Sequence, residues 1–363
     1  MIQITIRRAP TQYSVRVEPG LLSRAGRELR SLAPGGRLLV VTDRNVARLH
    51  GSSFLASLRR AGLDADTIAL PAGERSKTLE TVRRICARWA GHRADRGAMV
   101  VALGGGVVSD VAGFAAASYA RGLDWVVFPT TLLAQVDASI GGKVGVNLPL
   151  GKNLVGAFHQ PRAVLSDPEV LATLPPRAFR SGLAEIAKMG VIRRPSILTR
   201  LERMARLDRL GDADSLAVLI AACAREKAWY ISRDERDSGV RQYLNFGHTV
   251  GHALEAAYGY RRYTHGEAVS LGMAAALRLS VTLAGLDPVS AQDTEALLGR
   301  LGLPIRLDRT PGPDFWGALE RDKKRGRTAL RMVLSPAIGA VYSHDLHSLT
   351  ALRHAVLSLV QNP

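Results

Sequence analysis

Short apolar runs alternate with amphipathic stretches through the first half of this chain, and that alternation narrows the available folds more than any other feature. Residues 37–42 (RLLVVT), 66–70 (DTIAL), 98–103 (AMVVAL) and 125–129 (WVVFP) are rich in β-forming residues and end beside Gly, Asp, Pro or Thr. Between them lie stretches such as 76–90, with apolar residues at helical spacing. Strand and helix in alternation predict a parallel sheet covered on both faces, because each parallel neighbour is reached by a crossover. Ligands of such sheets collect at the carboxyl ends of the strands.

After Pro175 the period changes. Residues 179–206, 213–232, 248–258, 266–283 and 291–301 repeat apolar positions every three or four residues, and the one strand signal is a hairpin near 331–342. Prolines at 168, 175 and 176 mark the change. The expected architecture is an α/β N-terminal domain, 1–175, with a parallel, Rossmann-like sheet. An all-α C-terminal domain, 176–363, follows, with a cleft between the two.

Composition excludes several classes. Hydrophobic residues are 47% and charged residues 22%, a globular mixture. The first residues, MIQITIRR, read as an edge strand rather than a signal peptide, and the apolar stretch 99–120 is broken by Asp110 and a glycine run. Cys86 and Cys223 form no CxxC pair, which fits a reducing compartment; the cytoplasm is expected, with no membrane partner. The net charge of +17 invites a nucleic-acid reading, yet the arginines are dispersed and no nucleic-acid motif accompanies them. Of 49 basic residues only seven are lysine: Lys77, Lys143, Lys152, Lys188, Lys227, Lys323 and Lys324. A chain that so favours arginine keeps lysine where a compact ammonium is needed.

The chemistry-bearing segments follow. Gly104-Gly105-Gly106-Val107-Val108-Ser109-Asp110 joins a strand to a helix, where backbone N–H groups and the helix dipole favour a phosphate. Asp43, the segment 72–77 (AGERSK) and Thr130-Thr131 end other strands and offer polar groups to the same crevice, a dinucleotide signal. Residues 137–153 interleave Lys143, Asn147, Lys152 and Asn153 with glycines and predict an anion-binding loop. His248 and His252 lie four apart on one helical face, His265 opens the next helix, and Glu185 shares a face with Lys188. Two histidines and a carboxylate with an open position would suit a Lewis-acid metal ion.

The segments LPAGERSKTLETV, VALGGGVVSDVAGFAAASYARG, PTTLLAQVDASIGGKVGVNLPLGKNLVGAFHQP, LPPRAFRSGLAEIAKMG, LNFGHTVGHALE and HGEAVSLGM together resemble the 3-dehydroquinate synthase family. The resemblance implies one divalent ion, zinc or cobalt, on Glu185, His248 and His265. It implies an NAD site of Asp43, Ala72, Gly73, Glu74, Arg75, Ser76, Lys77, Gly104 to Asp110, Thr130, Thr131, Lys143, Lys152, Val170, Leu171, Ala172 and Thr173. The substrate site it implies comprises Arg121, Asp137, Lys143, Asn153, Lys188, Lys227, Arg241, Asn245, His252, Lys323 and Lys324. All seven lysines fall in these sets. Ser109 stands where the family commonly has Gly.

The implied reaction converts 3-deoxy-D-arabino-heptulosonate 7-phosphate to 3-dehydroquinate and phosphate by transient oxidation, elimination, reduction and aldol closure, in a homodimer. The rivals are a cyclase acting on sedoheptulose 7-phosphate, glucose 6-phosphate or an amino analogue of the heptulosonate, and a metal-dependent alcohol dehydrogenase that releases NADH.

Overall fold

Runs of Val, Leu and Ile with no polar interruption become strands that are buried on both faces. In the computed structural model, residues 1–8, 11–33, 37–149, 151–206, 211–323 and 329–360 are described. The chain forms two compact units, one of residues 1–174 with 211–236, the other of residues 175–210 with 237–363.

The first unit is built on β1 (Ile2–Arg8), β2 (Thr11–Val17), β3 (Arg37–Asp43), β4 (Asp64–Leu70), β5 (Met99–Gly104), β6 (Trp125–Pro129), β7 (Lys143–Leu148), β8 (Gly151–Phe158) and β9 (Ala163–Ser166). Seven of these form one sheet in the order β1-β2-β9-β6-β5-β3-β4. Every pairing in it is parallel except β1 with β2, which places the N-terminal strand at the edge. Every residue of β5 and β6 is buried, the signature of a central strand covered on both faces. The crossovers carry α1 (Ala25–Leu32), the short α2 (Arg44–Val46), α3 (Ser52–Arg60), α4 (Leu79–Gly91) and α5 (Gly106–Ser118).

One expectation is corrected here. The stretch 137–153 is not a plain loop: β7 and β8 pair as an antiparallel hairpin from Lys143↔Phe158 to Leu148↔Gly151. Its Val144 and Val146 are buried, so alternating apolar residues within the glycine-rich segment fix a strand register.

The second unit begins with α6 (Pro176–Ile192) and α7 (Ser196–Arg206). The single helical pattern over 179–206 is broken before Pro195, whose ring disfavours a helical conformation at Arg194. Helix α8 (Ala213–Arg233) belongs to the first unit, where it packs on β1 and β2, so a single cut after residue 175 does not describe the contacts. The second unit resumes with α9 (His248–Ala257), α10 (His265–Leu283), α11 (Pro288–Arg300), α12 (Pro313–Lys323), the hairpin β10 (Leu330–Ala337) and β11 (Ala340–Leu346), and α13 (Thr350–Leu357). Among the described residues its strands are those of that hairpin, whose Leu330, Met332, Leu334 and Leu346 join Phe315, Leu319 and Leu254 in the core. Helix α10 is long and apolar enough to cross a membrane by length and composition, but 72% of its most apolar window is buried inside the protein, as suits a core helix.

Candidate active site

Glycines bring the helices of the second unit close enough for their polar residues to meet. A Cβ on Gly272 of α10 would lie 1.8 Å from the carbonyl oxygen of Gly247, and one on Gly266 would lie 2.2 Å from that of Ser181 on α6. Gly247 itself takes φ +78, a turn open to glycine, and sets His248 as the first residue of α9. Thr264 and Glu267 form a capping box that starts α10 at His265.

These constraints gather Glu185, His248 and His265. Glu185 Oε1 lies 3.5 Å from His248 Nε2 and 3.3 Å from His265 Nε2. The donor atoms of all three residues fall within 4.8 Å of one another, the spacing of a metal-capable group. Glu185 is 1% exposed, and neither of its carboxylate oxygens receives a hydrogen bond. A buried carboxylate without hydrogen bonds is costly unless a cation compensates it. Lys188, also 1% exposed, supplies part of that compensation through an ion pair with Glu185 Oε2. His252 stands beside the group, its ring centroid 5.3 Å from that of His248 and 6.2 Å from that of His265.

The electrostatics differ sharply between the two histidines of this group. Burial, reinforced by the Lys188 cation, pushes His248 down to about 3, so its ring is neutral. Burial opposes charge on His265 as well, but there the Glu185 and Glu255 carboxylates override it and push the ring up to about 9. Burial alone would raise Glu185; the Lys188 and His265 cations instead hold it well below the usual carboxylate range. A neutral imidazole, an ionised carboxylate and a second imidazole held by acids form a donor set suited to zinc or cobalt.

In the first unit, the expected cofactor residues converge at one edge of the sheet. Parallel register puts the ends of β3, β4, β5, β6 and β9 side by side, through pairs such as Asp43↔Leu70 and Gly104↔Pro129. Asp43 caps α2, accepting from the N–H groups of Asn45 and Val46 at 2.8 and 3.0 Å. Gly105 is the N-cap of α5, and a Cβ there would meet Thr131 at 2.9 Å. The hydroxyls of Thr130 and Ser109 are buried with no hydrogen-bond partner, which leaves polar atoms for a ligand beside the glycine turn. Lys77 is ion-paired with Asp110, whose carboxyl is pushed up to about 6 by burial despite that cation.

Glu74 accepts from Asn147 Nδ2 at 2.8 Å, and Asn147 Oδ1 accepts from the Asn153 N–H at 3.0 Å. Ala72, Gly73 and Arg75 are exposed on the turn after β4, and Lys152 is half-buried on β8. Val170, Leu171, Ala172 and Thr173 lie in a short helix after β9, where Thr173 meets His50 at 2.9 Å.

The expected substrate residues divide between the units. Lys227 and Asp137 form an ion pair of 2.7 Å within the first, where Arg121, Lys143 and Asn153 are exposed. In the second, Arg241 is 2% exposed and Asn245 is exposed on the turn before α9. Lys323 ends α12, and Lys324 lies outside the described residues. Two residues went unnoticed in the sequence: Glu255, three residues after His252 on the same helix, and His50.

This fold is the one found in the sugar phosphate cyclases. The solved structure of 2-epi-5-epi-valiolone synthase from Streptomyces hygroscopicus, with NAD+ and Zn2+ bound, matches with TM-score 0.88 and 28% identity over 97% of this chain and 98% of that one. A 2-deoxy-scyllo-inosose synthase complexed with carbaglucose-6-phosphate, NAD+ and Co2+ matches with TM-score 0.86 and 25% identity over 98% and 99%. Residues 67–181 match the 3-dehydroquinate synthase N-terminal family and residues 182–325 the C-terminal family. The 3-dehydroquinate synthase of Gloeobacter violaceus is 46% identical over 94% of this chain and 95% of its own length, and that of a Synechococcus strain 44% over the whole of both. The chain belongs to the 3-dehydroquinate synthase family. An iron-containing alcohol dehydrogenase, 14% identical with TM-score 0.67, shares the fold alone.

Proposed function

We propose that this enzyme converts 3-deoxy-D-arabino-heptulosonate 7-phosphate to 3-dehydroquinate and phosphate, using NAD and one divalent ion. The observation that carries the reading is the buried Glu185 carboxylate facing two imidazole Nε2 atoms, in a chain 46% identical to a 3-dehydroquinate synthase over nearly its full length. Glu185, His248 and His265 would hold the ion, and the glycine turn with Asp43, Lys77, Asp110, Thr130 and Thr131 would hold the dinucleotide. When bound, NAD supplies a hydride acceptor that is also the donor, and the ion supplies a Lewis acid.

The protein's own residues supply the rest. Lys143, Lys152, Asn153, Arg241, His252 and the Lys323-Lys324 pair offer cations and donors for a substrate that carries a carboxylate and a phosphate. Asp137 and Lys227, paired at 2.7 Å, place an acceptor and a donor together for a substrate hydroxyl. The buried Lys188 fixes the charge on Glu185. A homodimer in the cytoplasm is the accompanying expectation, measured by light scattering and fractionation.

The test is phosphate release from the heptulosonate phosphate with NAD present, before and after chelation. The expected result is release abolished by the chelator, restored by zinc or cobalt, and free of net NADH. Phosphate release only from sedoheptulose 7-phosphate or from the amino analogue would transfer the enzyme to another cyclase. Accumulating NADH would make it a dehydrogenase.

A further inference from the structure

We propose that Glu255, outside every role assigned above, is the positioning residue that presents His265 to the metal ion; this rests on reading Glu185, His248 and His265 as the ligands. Glu255 sits on α9, seven residues after His248 and so close to the same helical face, and it is 4% exposed. Its Oε2 lies 3.6 Å from His265 Nδ1, while His265 Nε2 lies 3.3 Å from Glu185 Oε1. The ring is therefore held between two buried carboxylates, one at each nitrogen.

An imidazole can ligate only through a nitrogen whose lone pair is available, so the proton must reside on the other nitrogen. His248 meets this requirement through its backbone: Nδ1 stands 3.1 Å from the Phe246 carbonyl oxygen, a group that can only accept. His265 meets it through Glu255. In both rings the acceptor at Nδ1 leaves Nε2 for the metal, and both Nε2 atoms face Glu185. The two acceptors are not equivalent, because a carboxylate makes its imidazole a stronger ligand than a carbonyl does. A rival role exists, since His252, Glu255 and His265 also bring donor atoms within 4.8 Å of one another. Glu255 would then ligate a second ion.

The experiment measures zinc affinity of the full chain by competition with a chromophoric chelator, without substrate, and checks folding by circular dichroism. Wild type is expected to bind one zinc, and Glu185→Ala to abolish that binding. Glu255→Ala is expected to weaken zinc binding roughly 10- to 100-fold. Glu255→Gln, whose amide oxygen still accepts from Nδ1, should fall between Glu255→Ala and wild type. In a His265→Ala background, Glu255→Ala should cost nothing further, because its effect runs through that ring.

Zinc affinity within twofold of wild type in both Glu255 variants would overturn the proposal while leaving the ligand set intact. So would an undiminished effect without His265, or two zinc ions per chain. If Glu255→Ala does not fold, Glu255→Gln alone decides, by the same twofold criterion. Failure of the wild type to bind zinc, or indifference to Glu185→Ala, would instead remove the underlying metal site.

Discussion

Lys188 and Glu185, one turn apart on α6, form an ion pair with each side chain only 1% exposed. Replacing Lys188 with Met would leave the Glu185 carboxylate buried beside two imidazoles with its nearest cation gone. Breaking such a pair costs about 3 kcal/mol in the metal-free protein. A bound divalent cation would take over the compensation, so zinc should raise the melting temperature of Lys188→Met more than that of wild type. Scanning fluorimetry with and without zinc reads the difference; an equal or smaller rise would show that Lys188 is not what balances Glu185.

Metal uptake should be coupled to one proton. His248, pushed down to about 3, is already neutral at pH 7, whereas His265, pushed up to about 9, is protonated. Zinc must displace the His265 proton, so affinity should rise about tenfold per pH unit from neutrality toward 9 and then level off. The same shift acts on folding with the opposite sense. A histidine raised above its unfolded value of 6.5 stabilises the metal-free fold fully below that pH and loses the contribution as pH climbs to about 9. Calorimetry in buffers of differing ionisation enthalpy counts the protons. Two released at pH 7 would contradict the low value of His248.

Helix proximity should control the site as firmly as its ligands do. A methyl group on Gly272 would meet the Gly247 carbonyl oxygen at 1.8 Å, and that backbone leads directly into His248. Gly272→Ala is expected to destabilise the protein by about 3 kcal/mol, at the upper end for overpacking, and to weaken zinc binding at least tenfold. Gly299→Ala on α11 is the control: its Cβ would have only one neighbour within 4 Å, Ile305 at 3.4 Å, and a helical glycine replaced by alanine gains roughly 0.5–1 kcal/mol. Urea denaturation and zinc titration of both variants separate crowding from any general effect of the substitution.

The central strands β3, β5 and β6 were legible because each is a run of β-forming residues such as 125–129, buried along its length and needing no partner's sequence to be recognised, whereas β2 and β9 were not read from the sequence. The helices of the candidate metal group were legible through the spacing around His248 and His265. The β7–β8 hairpin was hidden because its glycines and lysines resemble a loop locally, and only pairing across the hairpin reveals the buried Val144 and Val146. The placement of α8 in the first unit was hidden for a similar reason. Its apolar face fits any core, and packing against β1 and β2 is a long-range choice. Glu255 carried a signal, its spacing from His248, but an acid on a helix is ordinarily a solvated residue until burial is seen.

Asp110 should make the stability of the protein depend on pH in the direction opposite to most paired carboxylates. Its ion pair with Lys77 would normally depress the carboxyl, yet burial wins and pushes it from 3.8 up to about 6. Between those values the folded state binds a proton that the unfolded state has released, so stability falls as pH rises from about 4 through 6. A shift of this size corresponds to roughly 3 kcal/mol across the window. Urea midpoints measured from pH 4 to 7.5 should therefore fall more steeply for wild type than for Asp110→Asn, which cannot titrate. The comparison of slopes removes the contributions of all other groups, and also the constant effect of leaving Lys77 without its carboxylate. Parallel slopes would mean that Lys77 controls the Asp110 carboxyl, keeping it ionised throughout this range. The helix terminus beside the glycine turn would then carry a fixed negative charge, a poorer setting for a phosphate than a carboxyl that can take up a proton.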